Sequence, residues 1–223
     1  MPKLDASWTG KLRVIGDLER PDHWYLTDQG QCAFFGEYTA RAGYGHSSTN
    51  QLIHNLKKSP DLAGTPQYVW KGRAIMDVAA AIRANIRAEA FARLAVVPIP
   101  PSKPVGSVGY DDRMVKVART IGRDVDVREV LYTAIEREAM HAQQAHRDPV
   151  ALRATLAVRP ELLANPPAQV LLLDDVLTTG CSFVVCCAML AEVWPGTEVF
   201  GVFAARRVIE RPSAAEDFAD IAL

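Results

Sequence analysis

The stretch from Val170 to Phe183 constrains the fold more than any other part of the chain. Gln169-Val170-Leu171-Leu172-Leu173 is a continuous apolar run, the pattern of a strand covered on both faces. Two carboxylates, Asp174 and Asp175, follow, and then a turn at Thr178-Thr179-Gly180. From Cys181 to Trp194, apolar residues recur at helical spacing (Phe183, Cys187, Leu190, Trp194) until Pro195-Gly196 stops them. Val199-Phe200-Gly201-Val202-Phe203 reads as the next strand. Strand, helix, strand in that order predicts a parallel α/β sheet.

The rest of the chain divides around that unit. Residues 1–60 hold short aromatic and β-branched clusters, Leu12–Ile15, His23–Leu26 and Cys32–Phe35, which read as strands separated by turns at Arg20-Pro21-Asp22 and Asp28-Gln29-Gly30. Ser47 or Ser48 caps a short helix that runs to Lys57 and Lys58 and ends at Ser59-Pro60. From Arg73 to Leu94 the period becomes helical. Leu94–Val97 is then a buried strand halted by Pro98-Ile99-Pro100-Pro101. A helix is expected over Asp111–Ile121 and a strand over Asp126–Val130. The expectation is a parallel twisted sheet flanked by helices over 61–223, with a small strand-rich N-terminal hood over 1–60.

Charge and cysteine usage exclude several classes. With 25 basic and 26 acidic residues the net charge is −1, which leaves no general footprint for nucleic acid or a membrane surface. The cysteines, Cys32, Cys181, Cys186 and Cys187, form no C-x-x-C pair and no disulfide framework, which suits a reducing compartment. The first five residues lead into polar sequence with no apolar signal region, and the longest apolar run is too short for a bilayer. A cytoplasmic protein is expected.

The chemistry concentrates at the end of the long apolar run. Ionised Asp174 and Asp175 only accept hydrogen bonds, which suits the vicinal hydroxyls of a sugar. The turn beyond them opens a helix, whose free N–H groups and dipole favour a phosphate. Thr178, Thr179 and Ser182 add hydroxyls, and Gly180 lets the backbone approach the ligand. A diol receptor and an anion receptor a few residues apart match ribose 5-phosphate. Two acids at a strand end also serve Mg²⁺ in phosphotransfer domains, but those need no Thr-Thr-Gly-x-Ser after them.

This segment resembles the signature with which type I phosphoribosyltransferases bind 5-phosphoribosyl 1-pyrophosphate (PRPP). The resemblance implies that Asp174 and Asp175, the candidate catalytic residues, hold the ribose hydroxyls. Thr178, Thr179, Gly180, Ser182 and the amide of Cys181 would cradle the 5′-phosphate. It implies a pyrophosphate loop after an earlier core strand, with Ser102 and Lys103 as candidates. It also implies Mg²⁺ carried mainly by PRPP, so no residue is assigned as a metal ligand. A nucleobase-like acceptor and a homodimer belong to the same expectation.

Residues 50–206 are similar, more loosely, to the ComF-like members of that family. The similarity rests on Leu52–Lys57, Val96-Val97-Pro98-Ile99-Pro100, Gly109-Tyr110-Asp111 and the run Arg137, Gln143 or Gln144, Arg153. The N-terminal zinc cysteines of those proteins are missing here, and Val108 stands where they carry arginine. Arg137, His141 and Arg147 fall in the segment that forms a mobile hood in such enzymes, though a surface role is the simpler reading of each. Glu37, Tyr38 and Arg41 could line a base pocket or be ordinary strand and turn residues. Lys57 and Lys58 suit a helix end, Cys181 reads as a spacer, Cys186 and Cys187 as core, and His54 as a lone histidine. Two functions remain open: a phosphoribosyltransferase, or a non-catalytic regulator that senses PRPP or a nucleotide.

Overall fold

A computed structural model of the chain describes residues 7–27, 31–136 and 148–209. The expected hood residues Arg137, His141 and Arg147 lie outside them, as do Gln143 and Gln144 of the ComF-like pattern, the turn at 28–30 and the tail from Pro212.

The molecule is α/β, built on a mostly parallel six-stranded sheet with helices on both faces. Its strands are β1 (Arg13–Val14), β2 (Cys32–Thr39), β3 (Leu94–Pro98), β4 (Asp126–Val127), β7 (Gln169–Leu177) and β8 (Glu198–Val208), in the order β1-β2-β8-β7-β3-β4. Only β1 runs antiparallel to its neighbour. A separate antiparallel pair joins β5 (Leu131–Thr133) to β6 (Leu156–Val158). The helices are α1 (Ser48–Leu56), α2 (Val69–Asn85), α3 (Arg113–Ile121), α4 (Pro149–Thr155) and α5 (Cys181–Val193).

Apolar periodicity explains which helix lies on which face. Leu171 and Leu173 of β7 share a core with Ile53 of α1, Val78 of α2 and Val117 of α3. Val170 and Leu172, one residue out of phase, share the other core with Leu152 of α4 and Met189 of α5. Leu172 and Leu173 are both fully buried, and each such side chain stabilises the fold by about 1.5–3 kcal/mol.

Several expectations change in detail. β2 pairs in parallel with β8 from Cys32↔Gly201 to Thr39↔Val208, so this N-terminal stretch is a strand of the main sheet rather than part of a strand-rich hood. His23–Leu26 is not a strand. It forms a turn closed by Leu26 N–H to His23 O at 2.8 Å, because Pro21 and a short 3-10 turn at Arg20–Asp22 redirect the chain. The helix expected over 73–94 ends at Asn85, where Ile86 is extended. There the Asn85 amide bonds Gly10 O (2.7 Å) and Ala81 O (2.8 Å) and accepts from Leu12 N–H (3.2 Å), tying the N-terminal segment to α2. The strand expected over 126–130 is only Asp126–Val127. Ser47 caps α1, its hydroxyl accepting from Asn50 N–H at 3.0 Å.

Candidate functional site

The sheet reverses its winding between β3 and β7. From β3 the chain passes through α3 to β4, away from β7; from β7 it passes through α5 to β8, the opposite way. Crossovers of one hand then put α3 and α5 on opposite faces and leave a crevice at the carboxyl ends of β3 and β7, where such sheets bind ligands. Here the crevice is opened by proline. β3 stays paired with β7 as far as Pro98↔Leu173, with Ile99 N–H reaching Leu173 O at 2.9 Å, and Pro100-Pro101 then leads away. β7 continues to Leu177 against β8 alone.

Asp174 is the first residue of β7 beyond that parting. It borders an open cleft lined by Pro98–Pro101, Lys103, Tyr110, Asp111, Arg113 and Arg159 among others. It also borders a smaller hollow, open to solvent, lined by Thr178, Gly180 and Ser182 at the start of α5. No other described residue lines both. One Asp174 oxygen accepts from Asp175 N–H at 2.8 Å. Burial, and then the charge of Asp175, push the Asp174 carboxyl up to about 7.

Asp175 points to the opposite face. Lys57 Nζ lies 3.1 Å from its Oδ1, and Arg113 Nε donates to Oδ2 at 2.8 Å with Nη2 on the same oxygen. Arg113 Nη1 in turn donates to Asp111 Oδ2 at 2.8 Å, and the buried Lys71 donates to that oxygen at 2.7 Å and to Lys58 O at 2.7 Å. Burial pushes the Asp175 carboxyl upward, but Lys57 and Arg113 outweigh it and hold the group below the usual carboxylate range. The Arg113 guanidinium is desolvated, and Asp175 and Asp111 overcome that and raise its pKa. Burial lowers Lys71, with Asp111 opposing. Both oxygens of Asp175 are therefore engaged by Lys57 and Arg113, whereas Asp174 lines both hollows.

The turn after β7 also divides its tasks. Gly180 is the N-cap of α5 with φ +86°, a left-handed conformation that glycine adopts without strain. Thr178, Gly180 and Ser182 line the small hollow. Thr179 and Cys181 are buried and do not line it; Cys181 N–H donates to Thr179 Oγ1 at 3.3 Å, an internal brace. Behind the turn, Thr178 O is bonded by His23 Nδ1 and Thr179 O by Tyr25 N–H at 3.0 Å.

Lys103 lines the large cleft, but its Nζ donates to Val108 O at 2.6 Å and lies 3.6 Å from Glu136. Ser102 is exposed and does not line the cleft. Glu37 is buried in an ion pair with Arg206 at 2.8 Å, a structural role. Tyr38 and Tyr44 both meet His54 edge-on at 6.2 Å, and Arg41 is an exposed residue with φ +67°. Three important side chains escaped the sequence reading: Arg113, His23 and, as more than a helix end, Lys57. Each acts across a gap of 62 to 155 residues, and no local pattern marks it.

No protein-family model and no curated protein matches the chain. Among the described residues no helix is long and apolar enough to cross a membrane, and no group of three or more His, Cys, Asp or Glu side chains is placed to hold a metal ion.

The opposed shifts of the two acids make ligand binding and stability depend on pH in opposite directions. Asp174 has its folded pKa raised, so as pH falls through about 7 the folded chain takes up a proton and gains stability until the ordinary carboxylate range near about 4. Asp175 has its folded pKa depressed, so its contribution is full above that range and is lost as pH falls below it. The expectation from the sequence that Asp174 holds a sugar diol requires its ionised form. On that expectation ribose 5-phosphate binds about tenfold more tightly at about pH 8 than at about pH 6, while the thermal midpoint of the free protein falls as pH rises over the same interval. Titration calorimetry beside an Asp174→Asn control separates this from the ligand phosphate, whose own second pKa is about 6. A pH dependence that survives unchanged in the control would refute the assignment.

Proposed function

We propose that the chain binds PRPP and transfers its phosphoribosyl group to a nitrogen of a nucleobase-like acceptor, releasing pyrophosphate. One observation carries the reading: Asp174 alone joins the small cavity at the start of α5 to the larger cleft that Lys103, Arg113 and Arg159 enter. PRPP has a 5′-phosphate, a vicinal diol and a pyrophosphate in the corresponding order. The 5′-phosphate would meet Thr178, Gly180, Ser182 and the first N–H groups of α5, and the diol would meet ionised Asp174. The pyrophosphate would lie in the cleft. The resemblance of residues 170–183 to the type I signature points the same way.

In the reaction the bond from ribose C1 to the pyrophosphate oxygen breaks with its electron pair leaving on pyrophosphate. A bond from the acceptor nitrogen to C1 forms, and the nitrogen loses its proton to solvent. The protein's share is orientation, neutralisation of the leaving charge and exclusion of water. Asp174 would fix the sugar, and its negative charge would favour the developing cation. Mg²⁺ arriving with the ligand adds neutralisation of the pyrophosphate oxygens. The residues present fit an ion carried in by PRPP: of the carboxylates lining the cleft besides Asp174, Asp111 is paired with Lys71 and Arg113, Asp112 with Lys116 and Glu129 with Arg119.

A second reading, a regulator that senses PRPP without turning it over, is favoured by the clamp on Asp175. The two readings separate in one assay. Protein, PRPP, Mg²⁺ and a panel of bases are incubated and pyrophosphate release is followed, alongside the thermal midpoint with and without PRPP. Release with any base supports transfer. PRPP at about a hundred times its Kd adds about 2.7 kcal/mol of stability in either case, and that gain without release identifies the sensor. Neither release nor a thermal shift would overturn both.

A further inference from the structure

The segment from Asp22 to Leu26 lies directly behind the turn assigned to the 5′-phosphate, and its contacts are specific. Tyr25 N–H donates to Thr179 O at 3.0 Å, and His23 Nδ1 bonds Thr178 O. A carbonyl oxygen only accepts, so Nδ1 carries the proton and the tautomer of His23 is set by its partner. Burial first, and then Arg206 against the opposing Thr178 bond, lower the imidazole pKa, so the ring is neutral near pH 7. Its Nε2 is buried with no partner among the described residues. Leaving such an atom unpaired costs stability, so the ring serves its Nδ1 contact at the expense of the other nitrogen.

That contact governs where the amides of the turn point. In a trans peptide the N–H is directed opposite to the C=O of the same unit. With Thr178 O and Thr179 O held toward residues 23–25, the N–H groups of Thr179 and Gly180 are turned away from that segment. None of residues 22–27 lines the small cavity, so the segment and the cavity flank the turn from different sides. Gly180 completes the interlock: a Cβ built on it would lie 2.9 Å from Leu26 Cγ and Cδ2 and 3.3 Å from Leu26 N. The segment is itself anchored, since Asp22 pairs with the buried Arg206 at 3.3 Å and Arg20 Nη1 donates to Thr27 O at 2.6 Å.

We propose that His23 is a positioning residue for the phosphate subsite: it holds the peptide planes at Thr178–Gly180 so that their amides face the 5′-phosphate of the ligand. This rests on the reading of residues 178–182 as a phosphate cradle and adds a determinant 155 residues away in the chain. Its geometry also separates substitutions of similar size. Asparagine can place an N–H at the position of Nδ1, whereas glutamine reaches toward Nε2 and leucine offers no donor.

The test measures binding of two probes, ribose 5-phosphate and inorganic pyrophosphate, to the full chain and to His23→Leu, His23→Gln and His23→Asn. Loss of one positioning hydrogen bond predicts that His23→Leu and His23→Gln weaken ribose 5-phosphate by about tenfold and pyrophosphate by less than about twofold. His23→Asn is expected to stay within about threefold of the parent for both probes, since it restores the donor. Equal losses for the two probes would show a general packing role and overturn the proposal, as would unchanged ribose 5-phosphate binding in a folded His23→Gln. If His23→Leu fails to fold, the contrast between asparagine and glutamine decides, and equal behaviour of that pair overturns the idea. A parent protein that binds neither probe would remove the phosphate reading itself, an outcome distinct from any defect of the variants.

Discussion

Replacing Asp174 with asparagine is expected to weaken ribose 5-phosphate and PRPP by at least about a hundredfold while leaving the protein folded and slightly more stable above pH 7. The loss follows from two hydrogen bonds to sugar hydroxyls changing from charge-assisted to neutral, each worth about 1.5–3 kcal/mol when the acceptor is ionised. The gain follows from the environment. Asp174 sits beside Asp175 in a desolvated position that already favours its uncharged form, and asparagine is the uncharged shape. Its amide oxygen can still accept from Asp175 N–H, so the local backbone keeps its partner. Titration calorimetry and a thermal melt at about pH 8 read both signs. Undiminished affinity in a folded Asp174→Asn protein would end the diol assignment and the proposed reaction with it.

Much of the sheet was legible because burial on two faces leaves an unmistakable run, as in Val170–Leu173, and because Cys181–Trp194 follows with a helical period. The strand's true end was not legible. The apolar run ends at Leu173, with the two acids directly after it. The strand in fact runs to Leu177, and in a strand neighbouring side chains point to opposite faces, so Asp174 opens on the cleft and Asp175 on α1 and α3. Thr179 and Cys181 brace each other inside the turn, side chain to amide, a contact that no spacing in the sequence displays. His23–Leu26 has the aromatic composition of a strand, but Pro21 and the docking of His23 on Thr178 O override it. Lys57 and Arg113 look like ordinary helix-end cations until α1 and α3 pack on the same face of the sheet; that arrangement is tertiary, and no window of sequence contains it.

The ion pairs of Asp175 lead to the other large effect, which falls on the fold. Asp175→Ala is expected to destabilise the protein by about 3–5 kcal/mol, the usual result of removing one partner from a buried ion pair. At this chain length each kcal/mol shifts the thermal midpoint by about 2–4 °C, so a fall of roughly 6–20 °C is anticipated. The cause is the surplus left behind. Lys57, Lys71 and Arg113 share two carboxylates, Asp111 and Asp175, and without Asp175 the three cations keep one partner between them. Arg113 then retains Asp111 at 2.8 Å but loses the carboxylate that took its Nε and Nη2. Pairing the change with Arg113→Met removes the stranded charge, so the double variant should be less destabilised than the two single changes added together, the signature of direct coupling. Thermal and urea unfolding of the four proteins in that cycle provide the measurement. A folded Asp175→Ala protein of parental stability that no longer binds PRPP would place Asp175 at the sugar after all, and the division of labour between the two acids would be wrong.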